Sequence, residues 1–537
     1  MTRGFWRKNG VSHGVRILAT TNFAPVWRAL RARPRVSELV NRWLINSLIY
    51  TMPTRTGALS TMQEWISWES LHDREFSQRH LPPLPSCPAD LPAPATVARL
   101  FARPGTQCPQ SPKSTLLFPI FAQWFVDGFL RTDPCNDMRN TSTHDIDLSQ
   151  LYGQTSDVTR LLREGTGGRL KSQRIRGGEF PPYLCDPYGT VKPEFEGLHT
   201  EFRGRDVKAE GGGRVPDELT PKLFALGIPR GNIHYGFVMM STLFLREHNR
   251  IAGLISERHP DWTDNQVFDT TRNTLTVVLL NIVIEDYINH ITPIKFPLFV
   301  KPGIGAKERW YRQNWMSVEF NLLYRWHSLV PTEVTVGGQQ RRFADMWWDT
   351  RPVTEHGLSA LFDEASRQPC STIALGNTDP SLLAIEEKSI RIGRDTRLQP
   401  YNAYRELCGF PALTTIDDLT SDRRMREQLT ACYGTDGTDG MDRVELFVGL
   451  FAEDIRRGST LPPLMSAMVA VDAFSQALTN PLLDPGVYRE ATFSTAGCEV
   501  IDSTTTLSDV VLRNISGEAP APRVSLDRHG RHPSQIR

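Results

Sequence analysis

The segment NLLYRWHSLVP, residues 321–331, places Tyr324 three residues before His327, with Trp326 between them. If the segment is helical, residues i and i+3 share one face, and three residues advance the helix axis by only about 4.5 Å. A phenol that can be oxidised and a possible metal ligand would then point in the same direction. An aromatic core helix with a hydrogen-bonded histidine explains the same pattern, so the rest of the chain has to distinguish the two interpretations.

The bulk composition is that of an ordinary globular protein. Of the 537 residues, 39% are hydrophobic and 23% are charged, and the net charge of +1 argues against a nucleic-acid partner. Eight cysteines are scattered without a CxxC pair, which predicts a reduced, cytoplasmic setting rather than a zinc site or a dense disulfide framework. The start of the chain lacks the features of a signal peptide. The longest apolar run, residues 275–284, is much shorter than the roughly twenty residues of a membrane-spanning helix, so we expect no transmembrane span.

Residues 1–60 differ in composition from the rest of the chain. Residues 1–55 contain ten Lys or Arg against one acid, Glu38, together with three tryptophans. Within them, residues 36–50 carry apolar side chains at helical spacing. Basic amphipathic helices with tryptophan often lie flat in a membrane interface, so we expect membrane-binding helices over residues 1–60 and a peripheral membrane association. The alternative is a set of helices packed on their own domain, with arginines extending over apolar surface.

Apolar residues between the Pro- and Gly-rich connectors recur at helical rather than strand spacing. This pattern predicts a mainly α catalytic domain over residues 61–515. A polar, Pro-containing tail, residues 516–537, follows and is expected to be disordered. The predicted helices cover residues 115–131, 236–257, 265–290, 315–328, 355–366, 442–455 and 464–478.

Four segments with distinctive residue combinations occur in a fixed order. They are FAQWFVDGFLRTD at 121–133, HDIDLSQLYGQT at 144–155, LFLREHNRIAGLI at 243–255 and the tyrosine–histidine segment. This order resembles the animal haem peroxidase superfamily, and most closely its cyclooxygenase and fatty-acid dioxygenase branch, with gaps over most of the chain. The resemblance implies a mainly α, cyclooxygenase-like haem peroxidase fold with haem b as the cofactor.

The resemblance also assigns roles to the tyrosine–histidine segment. A haem iron takes an axial imidazole, which His327 would supply, with Asn321 and Trp326 beside the cofactor. Tyr324 would lose an electron and a proton to the oxidised haem. The tyrosyl radical would then remove a hydrogen atom from an unsaturated fatty acid or a related lipid, and O2 would add to the carbon radical. The leading expectation is therefore a haem-dependent fatty-acid dioxygenase.

The segment expected on the distal side of the haem departs from the family pattern. The family has a glutamine and, four residues later, a histidine that moves the proton when the peroxide O–O bond is cleaved. Gln123 matches the glutamine, but the histidine position holds Asp127. Three interpretations stay open: Asp127 replaces the histidine as general acid–base, Asp127 links covalently to the haem, or the distal site has lost peroxide chemistry.

Other matching positions concern the substrate. Arg55 corresponds to the arginine that pairs with the fatty-acid carboxylate in cyclooxygenases, although an interfacial cation explains it equally well. The usual tyrosine partner of that arginine corresponds to Ile294, and the serine that aspirin acetylates corresponds to Ala473. These differences, and the absence of a cystine-rich module, argue against a prostaglandin synthase. The positions that match the channel lining, and that plain core residues would also explain, are Phe125, Phe129, Ile146 and Trp326.

The REHNR motif suggests structure rather than catalysis. Arg246, Glu247 and Arg250 are spaced to form a charge network on one helix, and His248 is most simply a hydrogen-bonded core histidine. The motif therefore adds to the family resemblance without adding a catalytic group.

Two further functions remain open beside the dioxygenase. In the first, the chain is a peroxidase, a peroxygenase or a hydroperoxide-rearranging enzyme with Asp127 as acid–base. In the second, it is a non-catalytic, membrane-associated haem-binding protein. The resemblance also allows a homodimer.

Overall fold

A computed structural model describes residues 3–52, 76–105, 108–199, 202–203, 206–207, 215–312, 315–435, 437–515 and 521–530. Helices dominate these residues, so the predicted mainly α fold class is confirmed. In chain order the α-helices are α1 Arg3–Asn9, α2 Val11–Thr21, α3 Ala24–Arg31, α4 Pro34–Ile49, α5 Pro94–Ala98, α6 Leu117–Val126, α7 Ser149–Tyr152, α8 Ser156–Leu162, α9 Tyr235–Arg258, α10 Asp264–Asn281, α11 Asn289–Ile291, α12 Val318–Leu323, α13 Arg351–Arg367, α14 Leu383–Asp395, α15 Tyr401–Leu407, α16 Ile416–Leu419, α17 Arg423–Tyr433, α18 Leu446–Ala452, α19 Pro463–Leu478, α20 Glu490–Asp502 and α21 Leu507–Asn514.

The described strands form only small antiparallel hairpins. Each hairpin joins two neighbouring strands, in the order β1–β2, β3–β4, β5–β6 and β7–β8. Their bounds are β1 Thr132–Asp133, β2 Asn136–Asn140, β3 Gln173–Ile175, β4 Gly178–Phe180, β5 Phe202–Arg203, β6 Asp206–Val207, β7 Glu333–Val336 and β8 Gln339–Arg342. Nine 3-10 helices occur in the described residues: Arg99–Phe101, Pro193–Phe195, Thr220–Lys222, Pro229–Asn232, His327–Leu329, Phe343–Met346, Pro380–Leu382, Met441–Arg443 and Pro481–Leu483.

Helices α9 and α10 pack against each other at the centre of the domain. A capping box formed by Thr263 and Gln266 begins α10, and a π-helical turn, Ile282–Ile288, carries it into α11. Such turns insert extra residues into a helix and are frequent at functional sites. The combined helix is the one in the described residues that is long and apolar enough to cross a membrane, and 83% of its apolar window is buried inside the protein. A helix that is apolar on all sides is typical of a buried core position.

The predicted helix over residues 315–328 is wrong in its extent. Helix α12 ends at Leu323, and Tyr324 has φ −99° and ψ 10°. Trp326 has ψ 44°, its N–H donates to the Tyr324 carbonyl at 2.9 Å, and His327 starts a separate 3-10 helix. Tyr324 and His327 therefore do not share a helix face, and a tight turn sets their relative orientation.

Helix α4 is packed on the domain along one face and exposed along another. Leu44, Ile45 and Ile49 are buried, and the helix packs against α19. Leu39 and Trp43, four residues apart and thus on a common face, are 68% and 52% exposed. The helix is anchored to the domain and still presents apolar side chains to its surroundings.

Part of the C-terminal tail is packed on the domain. Leu526 is buried, and its carbonyl accepts a hydrogen bond from the N–H of Thr115 at 2.9 Å. The side chain of Arg528 donates to the carbonyl of Ser111 at 2.7 Å. Residues 521–530 therefore depart from the disorder expected over residues 516–537.

Candidate functional site

A cavity of about 570 Å³ brings together six residues that the sequence singled out. Gln123 lies in helix α6, Asp127 follows directly after that helix, and the segment after α12 contributes most of the others. The six are Gln123, Asp127, Asn321, Tyr324, Trp326 and His327. More than a hundred and ninety residues of chain separate the two segments, so the cavity is a product of the fold.

His327 is held from behind by a buried acid. Its Nδ1 lies 3.2 Å from Oε2 of Glu386, whose side chain is fully buried in the first turn of α14. The imidazole itself is 23% exposed and lines the cavity. With Nδ1 turned to Glu386, Nε2 is the nitrogen available to a ligand in the cavity.

Tyr324 is a buried phenol with another phenol as its polar neighbour. Its hydroxyl interacts with that of Tyr287, and neither hydroxyl has another hydrogen-bond partner among the described residues. Burial raises the pKa of Tyr324, and the interaction with Tyr287 acts in the opposite direction. Tyr287 lies in the π-helical turn, and burial and the nearby Tyr324 raise its pKa well above the usual value. Both groups are therefore neutral phenols at neutral pH.

Aromatic rings extend away from Tyr324 in an unbroken series. The Tyr324 ring lies 4.8 Å from Trp326 and 5.1 Å from Phe320, measured between ring centroids. Phe320 in turn lies 6.3 Å from Phe129, which lies 4.9 Å from Phe125. Two of the residues expected in a substrate channel, Phe125 and Phe129, thus connect to the phenol through ring contacts.

The other expected substrate positions have separate surroundings. Ile146 is buried, and its carbonyl accepts a hydrogen bond from Asn480 at 2.9 Å. Ala473 is buried in α19. Arg55 lies outside the described residues. The roles of these three positions stay predictions.

Gln123 is oriented by a histidine that the sequence did not single out. His234 precedes α9, and its Nδ1 accepts a hydrogen bond from the N–H of Phe237 at 3.2 Å. Its Nε2 lies 2.8 Å from Oε1 of Gln123, and because Nδ1 is an acceptor, Nε2 must carry the hydrogen and donate. Burial lowers the pKa of His234 to about 4, so the ring is neutral at neutral pH. The amide nitrogen of Gln123 is then the group left to donate into the cavity.

Asp127 is paired with an arginine on the cavity wall. The carboxylate lies 3.3 Å from Nη1 of Arg230, which belongs to the 3-10 helix Pro229–Asn232. A second polar pair lines the same cavity: Oδ1 of Asn321 accepts a hydrogen bond from Arg325 at 3.0 Å. Asn321 also donates to the hydroxyl of Thr132. These contacts fix the polar side chains of the wall in defined orientations.

The REHNR motif has the structural character expected of it. Glu247 is paired with Arg250 at 2.8 Å and also with Arg513. His248 donates from Nε2 to a backbone carbonyl and accepts from the hydroxyl of Tyr152, both at 2.8 Å. The guanidinium of Arg246 donates to the carbonyls of Glu179 at 2.8 Å and Asn514 at 3.3 Å, and the side chain of Asn514 in turn donates to Glu247.

Sequence reasoning missed four residues of the site: Arg230, His234, Tyr287 and Glu386. Of these, Glu386 left the clearest signal. With Ile390 it lies on the buried face of α14 at i, i+4 spacing, and an acid at such a core position suggests a buried partner. Arg230 and His234 lie just before α9, and Tyr287 lies in the π-helical turn after α10. No local sequence pattern connects these three residues to the tyrosine–histidine segment.

Comparisons with known proteins agree with this fold. The family model for animal haem peroxidase matches residues 126–524. Prostaglandin G/H synthase 2 from Equus caballus is 28% identical over 93% of this chain and 80% of its own, and prostaglandin G/H synthase 1 from Mus musculus is 30% identical over 83% and 71%. A crystal structure of an Oryza sativa fatty acid alpha-dioxygenase variant with palmitic acid superposes with a TM-score of 0.66 at 15% identity, covering 98% of this chain and 97% of the other.

The fold and site define a haem-dependent oxidoreductase of the mainly α peroxidase type. The chain belongs to the animal haem peroxidase family. The predicted family and its cofactor, haem, are thereby confirmed.

The residues around the cavity fit a haem. One imidazole, His327, offers Nε2 to an iron, and its Nδ1 faces an acid. Aromatic and aliphatic side chains such as Trp326, Ile120 and Phe343 supply apolar wall for a porphyrin. The polar groups of Gln123 and Asp127 come from α6 and the residue that follows it. These residues would hold a haem by one imidazole and leave the polar groups of Gln123 and Asp127 to act on a bound molecule.

Proposed function

We propose that the protein catalyses haem-dependent oxygenation of an unsaturated fatty acid or a related lipid, with His327 as axial ligand and Tyr324 as radical carrier. The observation that carries the proposal is the position of Tyr324. Its ring lines the cavity that contains His327 and also contacts the aromatic series that leads to Phe129 and Phe125. The similarity to prostaglandin G/H synthases and to a fatty acid alpha-dioxygenase supports a fatty-acid substrate.

The proposed reaction moves a hydrogen atom through Tyr324. Haem, when bound, supplies the one-electron oxidation that starts the cycle. The Tyr324 phenol loses an electron and releases its proton to the cavity that it lines, while the neighbouring hydroxyl of Tyr287 stays neutral. The phenoxyl radical takes a hydrogen atom from a weak C–H bond of the substrate, and O2 adds to the resulting carbon radical. The peroxyl radical takes the hydrogen atom back from Tyr324, which yields a hydroperoxide and restores the phenoxyl radical.

The polar groups of Gln123 and Asp127 suit the priming step. A hydroperoxide activated in this cavity would have to lose a proton, and a carboxylate at Asp127 is a proton acceptor. The amide nitrogen of Gln123, oriented by His234, is a donor for the peroxide oxygen. Of the three interpretations of Asp127, its position on the wall of the His327 cavity supports the general acid–base role.

Oxygen uptake by the purified, haem-loaded protein tests this function. We expect uptake with polyunsaturated fatty acids that depends on a trace of hydroperoxide, because Tyr324 has to be oxidised first. Asp127→Asn is expected to slow priming roughly a hundredfold or more, because the carboxylate that accepts the proton is lost. Asp269→Asn, at an exposed acid in α10, is the matched control and should prime normally. A normal haem spectrum without uptake, primed or unprimed, would contradict the proposed function and leave the non-catalytic alternative.

We also propose that α1–α4 hold the protein on a membrane surface. Their exposed apolar side chains include Val11, Phe23, Val26, Leu39 and Trp43. The same residues are interspersed with Lys and Arg, which suit an anionic lipid surface. Membrane attachment through α1–α4 would bring an apolar substrate to the protein from the lipid phase.

Removal of the two apolar side chains of α4 tests the membrane proposal. Leu39→Gln combined with Trp43→Gln is expected to reduce binding to anionic phospholipid vesicles roughly tenfold or more. The reason is that an apolar side chain transferred from water into the lipid contributes about 1.5–3 kcal/mol to the binding free energy. Leu512→Gln, at an exposed leucine in α21, is the control and should bind as the unmodified protein does. Equal sedimentation of all three proteins with the vesicles would refute the proposal.

A further inference from the structure

Glu386 is a carboxylate enclosed by the protein. Its side chain is fully buried, and the hydroxyl of Thr378 donates to its Oε1 at 2.8 Å. Its other oxygen, Oε2, lies 3.2 Å from Nδ1 of His327. Among the described residues neither Oε2 nor Nδ1 has another hydrogen-bond partner, so a small rotation of the imidazole turns this contact into a hydrogen bond.

A carboxylate in this position needs a compensating partner. Burying an unpaired charge costs free energy because the charge loses its hydration. Only nearby hydrogen-bond donors or an opposite charge offset that loss. Three stabilising features are already in place: the Thr378 hydroxyl, the nearby guanidinium of Arg325, and the N-terminal turn of α14, where the helix dipole favours an anion. The remaining oxygen, Oε2, makes no hydrogen bond to another described residue and lies against Nδ1 of His327, so the imidazole N–H is the donor that completes the site.

We propose that Glu386 is a positioning residue for His327 that strengthens its bond to the haem iron, an inference that rests on the proposed role of His327 as axial ligand. A carboxylate that accepts from Nδ1–H fixes the tautomer that leaves Nε2 unprotonated, and it raises the basicity of the imidazole. A more basic ligand stabilises the ferric over the ferrous iron. Glu386 therefore sets a low reduction potential and favours the oxidising chemistry on which Tyr324 depends.

Two spectroscopic quantities on the haem-loaded protein test this inference. They are the ferric/ferrous reduction potential and the iron–histidine stretching frequency of the ferrous form in resonance Raman spectra. Glu386→Gln replaces the carboxylate with a weaker, neutral acceptor, so we expect a higher potential and a lower stretching frequency. Glu387→Gln is the matched control: it makes the same change one residue along α14, where the acid is paired with Arg391, and both quantities should stay unchanged.

A second variant predicts a shift of the opposite sign. Thr378→Val removes the hydroxyl that draws charge towards Oε1 of Glu386, which makes the carboxylate a stronger acceptor for His327. The reduction potential should then fall and the stretching frequency should rise. A purely structural role for Glu386 gives no reason for opposite shifts in Glu386→Gln and Thr378→Val. If Glu386→Gln fails to take up haem, two other variants test the positioning role of Glu386. Thr378→Val should show the lower potential and higher stretching frequency. Glu386→Asp should show a higher potential and a lower stretching frequency, each by less than is expected for Glu386→Gln.

The outcomes separate this inference from the proposed function. An iron–histidine band that is present in the unmodified protein and lost in His327→Ala supports the axial ligand itself. If that band is present but Glu386→Gln, Glu386→Asp and Thr378→Val all keep the original potential and frequency, the positioning role of Glu386 is refuted while the axial role stands. If His327→Ala leaves the band in place, both proposals fail together.

Discussion

Tyr324→Phe is expected to abolish oxygen uptake with fatty acids while haem binding and hydroperoxide consumption persist. The variant keeps the ring, and with it the contacts to Trp326 and Phe320 that fill this part of the core. It removes the O–H group that delivers and recovers the hydrogen atom. Because that atom moves once in each direction per turnover, loss of the hydroxyl should reduce product formation to the background level rather than slow it in part.

The partner phenol provides the matched control for this prediction. Tyr287→Phe removes the hydroxyl that interacts with Tyr324 and leaves Tyr324 itself in place. We expect reduced but measurable oxygen uptake, and a stability loss of about 1–3 kcal/mol because the Tyr324 hydroxyl is left buried without its neighbour. Full oxygenation by Tyr324→Phe would contradict the radical mechanism and favour a peroxidase or peroxygenase that uses Asp127. The measurements are oxygen electrode traces and product analysis on both haem-loaded variants.

His327→Ala is expected to remove the axial ligand and with it both oxygenation and peroxide consumption. The imidazole is the histidine whose exposed edge faces the cavity beside Tyr324, and Ala offers no nitrogen to an iron. The variant also leaves Glu386 buried with only Thr378 as a donor, so we expect a further loss of about 1–3 kcal/mol in the free energy of unfolding. The haem absorption spectrum and the retained haem after gel filtration are the measurements.

Added imidazole distinguishes loss of the ligand from general damage. The space left by the side chain of His327→Ala is bounded by Glu386, whose carboxylate can accept a hydrogen bond from the bound imidazole. Exogenous imidazole should therefore restore a large part of the original spectrum. His356→Ala, at an exposed histidine in α13, should retain the full spectrum. An unchanged spectrum in His327→Ala would mean that another residue binds the iron.

Several features of the fold and site were predictable because they depend on residue types in sequence order. Long apolar patterns predicted α9, α10 and α19 closely, since helical spacing of buried side chains is a local property. The four ordered motifs predicted the family, and Gln123, Asp127 and His327 do line one cavity.

Other features depend on contacts that no local pattern contains. The continuous helix predicted over residues 315–328 fails because the segment is buried on all sides, and such a segment gives no periodicity that shows where a helix ends. Arg230 and His234 reach α6 across more than a hundred residues of chain. Tyr287 meets Tyr324 through a π-helical turn, which shifts the side-chain register in a way that spacing rules for an α-helix do not anticipate.

The sequence by itself determined the mainly α class, the family and the pair formed by Tyr324 and His327, because these follow from residue identity and order. Only the tertiary structure decided what surrounds the pair. It turned Nδ1 of His327 towards Glu386, set Tyr287 beside Tyr324 and paired Asp127 with Arg230. The physical reason is that hydrogen bonds and ion pairs depend on distances of about 3 Å between side chains, and helix packing rather than chain order brings distant residues that close.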